Sequence, residues 1–433
     1  MKMTFNPSVM ATLVENNWGW FLNQKVAIEN YCESVSDGDS RRSYSCKEEL
    51  FAMSRPHIIT QHHRGTPADL QTGLETVAMG TSGSHDMEKA KEEEPKDRKS
   101  RKRKRKRRSD LNTGEAAAME YHKQVRTKLV QAHTAFLSLG RASGLFQEIP
   151  ADIVPVGKPF LDWGPGNSLA DLCDLARLTE DKRPLAVSQG TPSEESRDIF
   201  NRLVLVDSDQ PIVKCLLGSR YLLPPRSSFL LSDVTRMEPL VQGGLKYHLI
   251  LMDPPWENKS VKRGKKYESL SPRQLFQLPI PALAAPGCLV VTWVTNRQQH
   301  MRFVRESLYP HWSIEPVAEW HWLKVTRAGE PVFPMDSPHK KPYETIMLGR
   351  FKDQSEDPME MSLPRHKVIC SVPCVIHSRK PQLDEVLHKY LPPSPICLEL
   401  FARCLQPNWT SWGNEVIKFQ HLDFFNEDKA FPS

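Results

Sequence analysis

The clearest pattern of apolar and polar positions in the chain is His248-Leu249-Ile250-Leu251-Met252-Asp253-Pro254-Pro255-Trp256, an apolar run that stops on an acid, two prolines and an indole. Consecutive apolar residues of this kind fit a strand buried on both faces of a parallel sheet. Proline has no N–H to give the ladder, so the pair at 254 and 255 ends the strand and turns the chain at its carboxyl end, where open α/β sheets place their ligands. Similar runs recur around it. Ser228 to Val234 predicts a short buried strand ending in an acid; Cys288–Val294, Tyr343–Leu348, Lys367–Val372 and Ile396–Phe401 predict further strands, and Ile314–Val325 a strand pair or one bent strand. Between them, helical spacing predicts Pro272–Phe276 behind a Ser271 cap, Arg297–Leu308 with Met301, Val304 and Leu308 inward, and Leu383–Tyr390. Strands alternating with helices define an α/β fold.

Upstream the pattern changes. From Thr113, the positions Met119, Val125, Leu129, Val130, Ala132, Phe136 and Leu139 predict one long amphipathic helix closed by Gly140 or Gly144. Pro224-Pro225-Arg226 has the composition of a linker, which divides the folded part into an accessory domain at 113–226 and a main domain at 227–428. Residues 1–112 mix short apolar patches such as Trp18-Gly19-Trp20-Phe21-Leu22 with Gly, Ser, Glu, Lys and Arg, and are expected to be largely disordered.

Composition sharpens this division. The formal charge is +6, yet the run from Arg98 to Arg108 alone holds ten basic residues, so the remainder of the chain is net acidic and the basicity is local. A run so dense suits a nuclear localisation signal read by an import receptor, with an RNA-binding arm or a solvated tail as alternatives. Val9 to Tyr31 is interrupted by Glu15, Asn16, Asn17 and Glu29, and no apolar run reaches membrane-spanning length, so neither a signal peptide nor a membrane partner is expected. Nine cysteines without a CxxC pair read as reduced thiols, consistent with nucleus or cytosol. The spacing of His366, Cys370, Cys374 and His377 does not suit zinc, and no metal is expected.

The chemistry concentrates at Asp253-Pro254-Pro255-Trp256. An exocyclic adenine nitrogen is a poor nucleophile because its lone pair is delocalised into the ring. A site that alkylates it must hold the amine with acceptors and aim the lone pair. The Asp253 carboxylate and the Pro254 carbonyl supply acceptors, and Trp256 a face on which a base stacks. The competing reading is a proline-stopped strand with Trp256 as core. Behind the turn, Lys259, Lys262, Arg263, Lys265 and Lys266 form a cationic loop suited to the phosphates that flank a target base, with His339, Lys340 and Lys341 as a second basic cluster.

These residues resemble the MT-A family of adenine N6-methyltransferases. The likeness rests on Asp253 to Trp256 with Asn258 to Arg263 behind it, on Val291 to Arg297, on Asp336-Ser337-Pro338-His339-Lys340-Lys341-Pro342-Tyr343-Glu344 and on Gln406 to Glu415, and it runs from about Glu115 to Phe424. It implies a Rossmann-like class I methyltransferase fold with permuted motif order, S-adenosylmethionine as donor, and adenine N6 in nucleic acid as acceptor. One branch of the family points to 2′-O-methyladenosine in small nuclear RNA. DNA adenine is the alternative substrate, and a non-catalytic nucleic-acid-binding subunit the alternative role. The permuted order places the cofactor loop at Glu399-Leu400-Phe401-Ala402-Arg403, with Asn414 and Glu415 at ribose and adenine, Asp233 and Val234 flanking the adenine, Lys380 on the methionine carboxylate, and Asp253 also on the cofactor's amino group. Cys404 and Leu405 depart from other branches, which offer His and Asn there. Phe160-Leu161-Asp162-Trp163-Gly164-Pro165-Gly166-Asn167, followed by a run ending in Asp207, resembles an ordinary glycine-rich cofactor loop, a reading that the permuted order demotes. The family includes obligate heterodimers, so a protein partner stays open.

Overall fold

The computed structural model describes residues 11–37, 40–57, 113–142, 146, 168–177, 179–180, 182–190, 198–233, 235–257, 269–337, 340–352, 362–376 and 378–431. The basic run at 98–108, the Gly164 loop, Val234, Asn258, Lys259, Lys262, Arg263, Lys265, Lys266, His339 and His377 lie outside the described residues.

In chain order the described strands are β1 (Thr12–Asn16), β2 (Gly19–Leu22), β3 (Val35–Asp37), β4 (Ser40–Cys46), β5 (Leu185–Val187), β6 (Leu203–Val206), β7 (Ile212–Leu216), β8 (Ser219–Leu223) and β9 (Ser228–Leu231). They continue with β10 (Tyr247–Met252), β11 (Ala284–Val294), β12 (Ile314–Lys324), β13 (Tyr343–Phe351), β14 (Val368–Ser371), β15 (Cys397–Leu400), β16 (Trp409–Gly413) and β17 (Phe425–Phe431). Twelve of them form one sheet in the order β1-β2-β14-β12-β13-β11-β10-β15-β16-β9-β6-β5, and β17-β4-β3-β7-β8 form a smaller one.

The centre of the large sheet is parallel: β11, β10, β15, β16 and β9 run the same way. β10 shows why a continuous apolar run folds there. Ile250 and Met252 enter the core on one face, Leu249 and Leu251 the core on the other, and all are buried. The helix at 298–311 covers the first face with Met301, Val304 and Leu308, as the spacing predicts, and the helical segment at 384–390 covers the second with Val386 and Leu387. Ser271 caps the short helix Pro272–Phe276 in a complete capping box with Gln274.

Two expectations are corrected by this topology. Residues 11–57 are not a disordered leader: β2 pairs in parallel with β14, and β4 pairs with both β3 and β17. Gly19 makes the first pairing feasible, because a Cβ there would stand 1.9 Å from the Val368 carbonyl oxygen, and its φ is +147°. Second, the boundary at 226 does not separate domains. Pro224-Pro225-Arg226 is a tight turn that carries the chain from β8 in the small sheet to β9 in the large one, and β5 and β6 extend that large sheet. Composition identified the turn but could not show that long-range pairing unites its two sides. The already demoted reading of the Gly164 loop with Asp207 finds no support here: β6 runs antiparallel to β9, so Asp207 after β6 lies at the opposite end of the sheet from Asp233 after β9. The long helix is present at Thr113–Ala142, with Val125, Leu129, Ala132 and Phe136 packed on β12, β14 and Phe21.

Candidate functional site

The site is fixed by where the chain leaves its central strands. After β10 the connection leads to β11 on one side, and after β15 it leads to β16 on the other, although β10 and β15 are neighbours. A crevice therefore opens between their carboxyl ends, the switch point at which doubly wound sheets bind ligands. Register brings the parts together: Met252 pairs with Leu400 and with Thr292, Leu400 pairs with Trp412, and Trp412 with Leu230. The residues that follow are Asp253, Phe401 to Arg403, Gly413 to Glu415, Thr295-Asn296 and Ser232-Asp233, all on one rim.

Asp253 does not stand alone on that rim. Lys380, carried by the loop after β14, places its Nζ 3.1 Å from Asp253 Oδ2 and 2.9 Å from Glu344 Oε2, while Lys324 Nζ bonds the other oxygen of Glu344. The result is an alternating chain of two carboxylates and two ammoniums, partly shielded from solvent. Burial works against the Lys380 charge, and Asp253 and Glu344 outweigh it, so the ammonium is held above its ordinary range. Burial likewise raises the Glu344 carboxyl, but Lys324 and Lys380 more than reverse this and hold it far below the usual carboxylate range. Lys380 also lies 5.5 Å from the centre of the Trp293 ring.

The turn itself is held from three sides. The Trp256 N–H donates to the Pro254 carbonyl at 2.8 Å, and the Leu270 N–H donates to the Pro255 carbonyl at 3.1 Å. The Pro254 oxygen, an expected acceptor for the amine, has thus committed one lone pair to the turn and keeps a second. Trp256 is 7% exposed. Its indole N–H donates to the Trp293 carbonyl at 2.8 Å, and its ring stacks on His300 with centroids 5.1 Å apart. Trp256 is therefore both core and wall: one face is spent on His300. His300 accepts or donates at Nδ1 with the Thr295 hydroxyl, 2.8 Å away, and burial, aided by Arg297, pushes its pKa down to about 4, so it is neutral at pH 7.

The downstream loop supplies the other lip. Phe401 adopts φ +60° and packs its ring on Trp412, 5.1 Å between centroids. The Ala402 N–H donates to the Trp412 carbonyl at 2.9 Å, and a Cβ on Gly413 would come within 2.6 Å of the Ala402 oxygen, so only glycine permits the two backbones to approach. Arg403 Nε donates to Glu415 Oε2 at 2.8 Å, and Lys418 bonds the other oxygen at 2.6 Å. Burial raises the Glu415 carboxyl, and the two cations overcome that and lower it. Leu405 is buried core and its N–H donates to Gln420, so neither it nor its neighbour Cys404 replaces the polar pair of other branches; Gln406 instead donates to Glu399 at 3.1 Å. Burial, with Asp253 adding to it, pushes the Glu399 carboxyl up to about 7. Asp233 is buried and accepts from the Thr235 N–H at 3.0 Å and from its hydroxyl.

Asp253, Pro254, Pro255, Trp256, Asp233, Lys380, Glu399, Arg403, Asn414 and Glu415 thus fall on one rim. Lys340 lies on the loop joining β12 to β13, its Nζ 5.4 Å from the centre of the Phe333 ring. Glu344, Lys324, His300 and Gln406 were not singled out as site residues. For Glu344 and Gln406 a signal existed, since Lys341-Pro342-Tyr343-Glu344 and Gln406 to Glu415 are parts of the family-like stretches; for Lys324 and His300, isolated polar residues on a strand and a helix gave none. Among the described residues no cluster of metal-ligating side chains is present.

A sheet of Rossmann type, with its crevice at the switch point and an Asp-Pro-Pro-Trp turn at the lip, defines a methyltransferase of the Rossmann-like class. Comparison with known proteins narrows this. Residues 247–415 match the MT-A70 family model. The chain is 49% identical over 329 residues to N(6)-adenine-specific methyltransferase METTL4 of Homo sapiens, covering 72% of this chain and 69% of that protein. It is 36% identical over 211 residues to N6-methyladenosine RNA methyltransferase MTA1 of Pyricularia oryzae (46% of this chain, 55% of that protein). It is also 35% identical over 236 residues to the DNA N6-methyl methyltransferase of Caenorhabditis elegans (54% and 63%). The chain belongs to the MT-A70 family of methyltransferases.

Proposed function

We propose that this chain transfers the methyl group of S-adenosylmethionine to N6 of adenine in nucleic acid, with 2′-O-methyladenosine in small nuclear RNA as the acceptor and DNA adenine as the alternative. The observation that carries the reading is Asp253 at the switch point, ion-paired with Lys380 and followed by a rigid Pro-Pro-Trp turn. Relatives named for RNA and for DNA are both similar to this chain over about half of its length.

The residues present fit the donor. Lys380 would hold the methionine carboxylate, Asp253 the amino group, and Asp233, Glu399, Asn414 and Glu415 the ribose and adenine, on the rim where the close approach of Gly413 to Ala402 fixes the two lips. When bound, S-adenosylmethionine supplies an electrophilic methyl on a sulfonium whose departure drives the transfer. The protein's task is then positioning. The Asp253 carboxylate and the second lone pair of the Pro254 carbonyl accept the two N–H bonds of the adenine amine, which draws the nitrogen out of conjugation. Trp256, immobilised by His300 and the Trp293 carbonyl, confines the base. The cationic loop at 259–266 and Lys340 would contact flanking phosphates.

The test is labelled-methyl transfer to RNA and DNA oligomers with and without a 2′-O-methyl target adenosine, using Asp253→Ala as control. Transfer to RNA that Asp253→Ala abolishes is expected. If the wild-type chain binds the donor and methylates neither acid, a nucleic-acid-binding subunit that serves a catalytic partner replaces this reading. The basic run at 98–108 is proposed to direct nuclear import through an import receptor. A reporter carrying residues 90–112 should enter the nucleus, and one that stays cytosolic removes the claim.

A further inference from the structure

Beside the catalytic lysine stands a buried cation that the chemistry above does not use. Arg379 is 6% exposed. Its guanidinium carbon lies 4.6 Å from the Phe419 ring centre and 5.8 Å from that of Phe51. Burial works against its charge, and its neighbours include the thiols of Cys374, Cys46 and Cys404 and the Tyr31 phenol; burial pushes the Cys46 and Cys404 thiols up to about 12, so they are neutral at pH 7. Its Nη1 is buried without a hydrogen-bond partner. A guanidinium buried among rings and thiols is costly to keep, and a side chain of like volume without charge would pack there more easily. Its persistence next to Lys380 calls for a role that volume alone does not fill.

The backbone supplies one. Ser378 holds φ +74°, a left-handed conformation unusual for a residue with a side chain. From this bend the next two side chains depart to opposite sides. Arg379 enters the core of the small sheet, among Tyr31, Cys46, Phe51 and Phe419, and Lys380 enters the crevice over Trp293. Among its described residues the loop between Ser371 and Asp384 has no regular secondary structure; before the bend it is tied down where the Val375 N–H donates to the Leu50 carbonyl at 2.8 Å and Gln24 Nε2 donates to the Val372 carbonyl at 2.9 Å.

We infer that Arg379 is a positioning residue: its planar guanidinium, clamped on Phe419 within a socket built from amino- and carboxyl-terminal segments of the chain, sets the place of Lys380 against Asp253 and Glu344. A planar, always-charged group stacked on a ring has fewer orientations than a flexible aliphatic chain, which is what a locator needs. The inference rests on the cofactor role proposed for Lys380, but its first readout does not require that role.

The experiment uses the full chain with Arg379→Met and Arg379→Lys. Acetic anhydride labelling of the cofactor-free protein, followed by peptide mass spectrometry, reports the accessibility and basicity of Lys380; Lys389, which pairs with Glu15 elsewhere on the surface, is the internal reference. In Arg379→Met, Lys380 should label at least about fivefold faster while Lys389 and the melting temperature stay as in wild type, and Arg379→Lys should restore part of the protection. In methyl-transfer assays the KM for S-adenosylmethionine should rise about tenfold with the KM for the oligomer unchanged. Unchanged Lys380 labelling in Arg379→Met overturns the inference. So does a uniform rise at Lys380 and Lys389 with a lowered melting temperature, which marks general loosening. If Arg379→Met does not fold, Phe419→Leu takes its place with the same expected outcomes. A wild-type chain that transfers no methyl group refutes the proposed function instead, and the labelling still decides the role of Arg379.

Discussion

Glu399 offers the most quantitative test of how the crevice is built. It sits on β15 paired in register with Leu251 and Ser411, and its carboxyl titrates at about 7 instead of 4.5 because burial, reinforced by Asp253, penalises its charge and only Gln406 supports it. The sign follows from proton linkage. Between pH 4.5 and about 7 the unfolded chain has released this proton while the folded chain still holds it, so stability falls as pH rises through that window and is flat above it. A shift of about 2.5 units at about 1.4 kcal/mol each corresponds to about 3 kcal/mol. Glu399→Gln keeps the volume and an oxygen for the Gln406 N–H but cannot ionise. Relative to wild type, the variant should gain about 3 kcal/mol between pH 4 and pH 8, nearly all of it below pH 7. Urea titrations at pH 4, 5, 6, 7 and 8 and constant ionic strength measure this difference, and contributions from other groups cancel in it. Parallel stability profiles for the two proteins, or a wild type that gains on the variant with rising pH, would refute the reasoning. It would mean that the carboxyl is solvated and that the crevice floor is wetter than its packing indicates.

Two further outcomes follow from the geometry. His300→Ala removes the ring beneath Trp256 and should lower kcat about tenfold while melting close to wild type, whereas His300→Phe, which keeps the stack and loses only the Thr295 bond, should retain most activity; equal losses in both would make the hydrogen bond, not the stack, decisive. Gly19→Ala places a Cβ against the Val368 carbonyl and should destabilise by about 2–4 kcal/mol, read as faster hydrogen exchange at the Trp20 and Leu22 amides, and unchanged exchange there would show that β2 is not docked.

What could be read from the chain divides along the distance over which each feature is determined. β10, β11 and β15, the capping box at Ser271 and the helix around Met301, Val304 and Leu308 are written in consecutive residues, because burial on both faces or on one helical stripe leaves a local pattern. Asp253 was legible for the same reason: an acid and two prolines directly ending a buried strand. Gly19-Trp20-Phe21-Leu22 showed only as an apolar patch, since four residues become a strand through pairing with Val368 to Ser371, far along the chain. The Lys324–Glu344–Lys380–Asp253 chain was half legible. Asp253 came from that strand-end pattern and Lys380 through resemblance to a family, but the charge alternation exists only where three separate connections meet. The double duty of the Pro254 carbonyl, and the neutral state of His300, depend on hydrogen bonds and burial that no residue pattern encodes.

The docking of β1 and β2 on β14, and of β4 on β17, has a consequence for the order in which the molecule comes into being. β2 and β4 each have one partner made far later, so their pairing must wait until Val368 and then Phe425 to Phe431 have emerged. Contacts so remote in sequence slow folding, and in that interval β2 and β4, paired only with β1 and β3, each keep one open edge. A fragment cut at the catalytic region alone would keep every residue of the Asp-Pro-Pro-Trp turn and yet present β14 as a bare edge, ready to pair with another copy. Low yield or aggregation of such fragments is therefore an expected property of the topology, not a sign that the catalytic residues are misassigned.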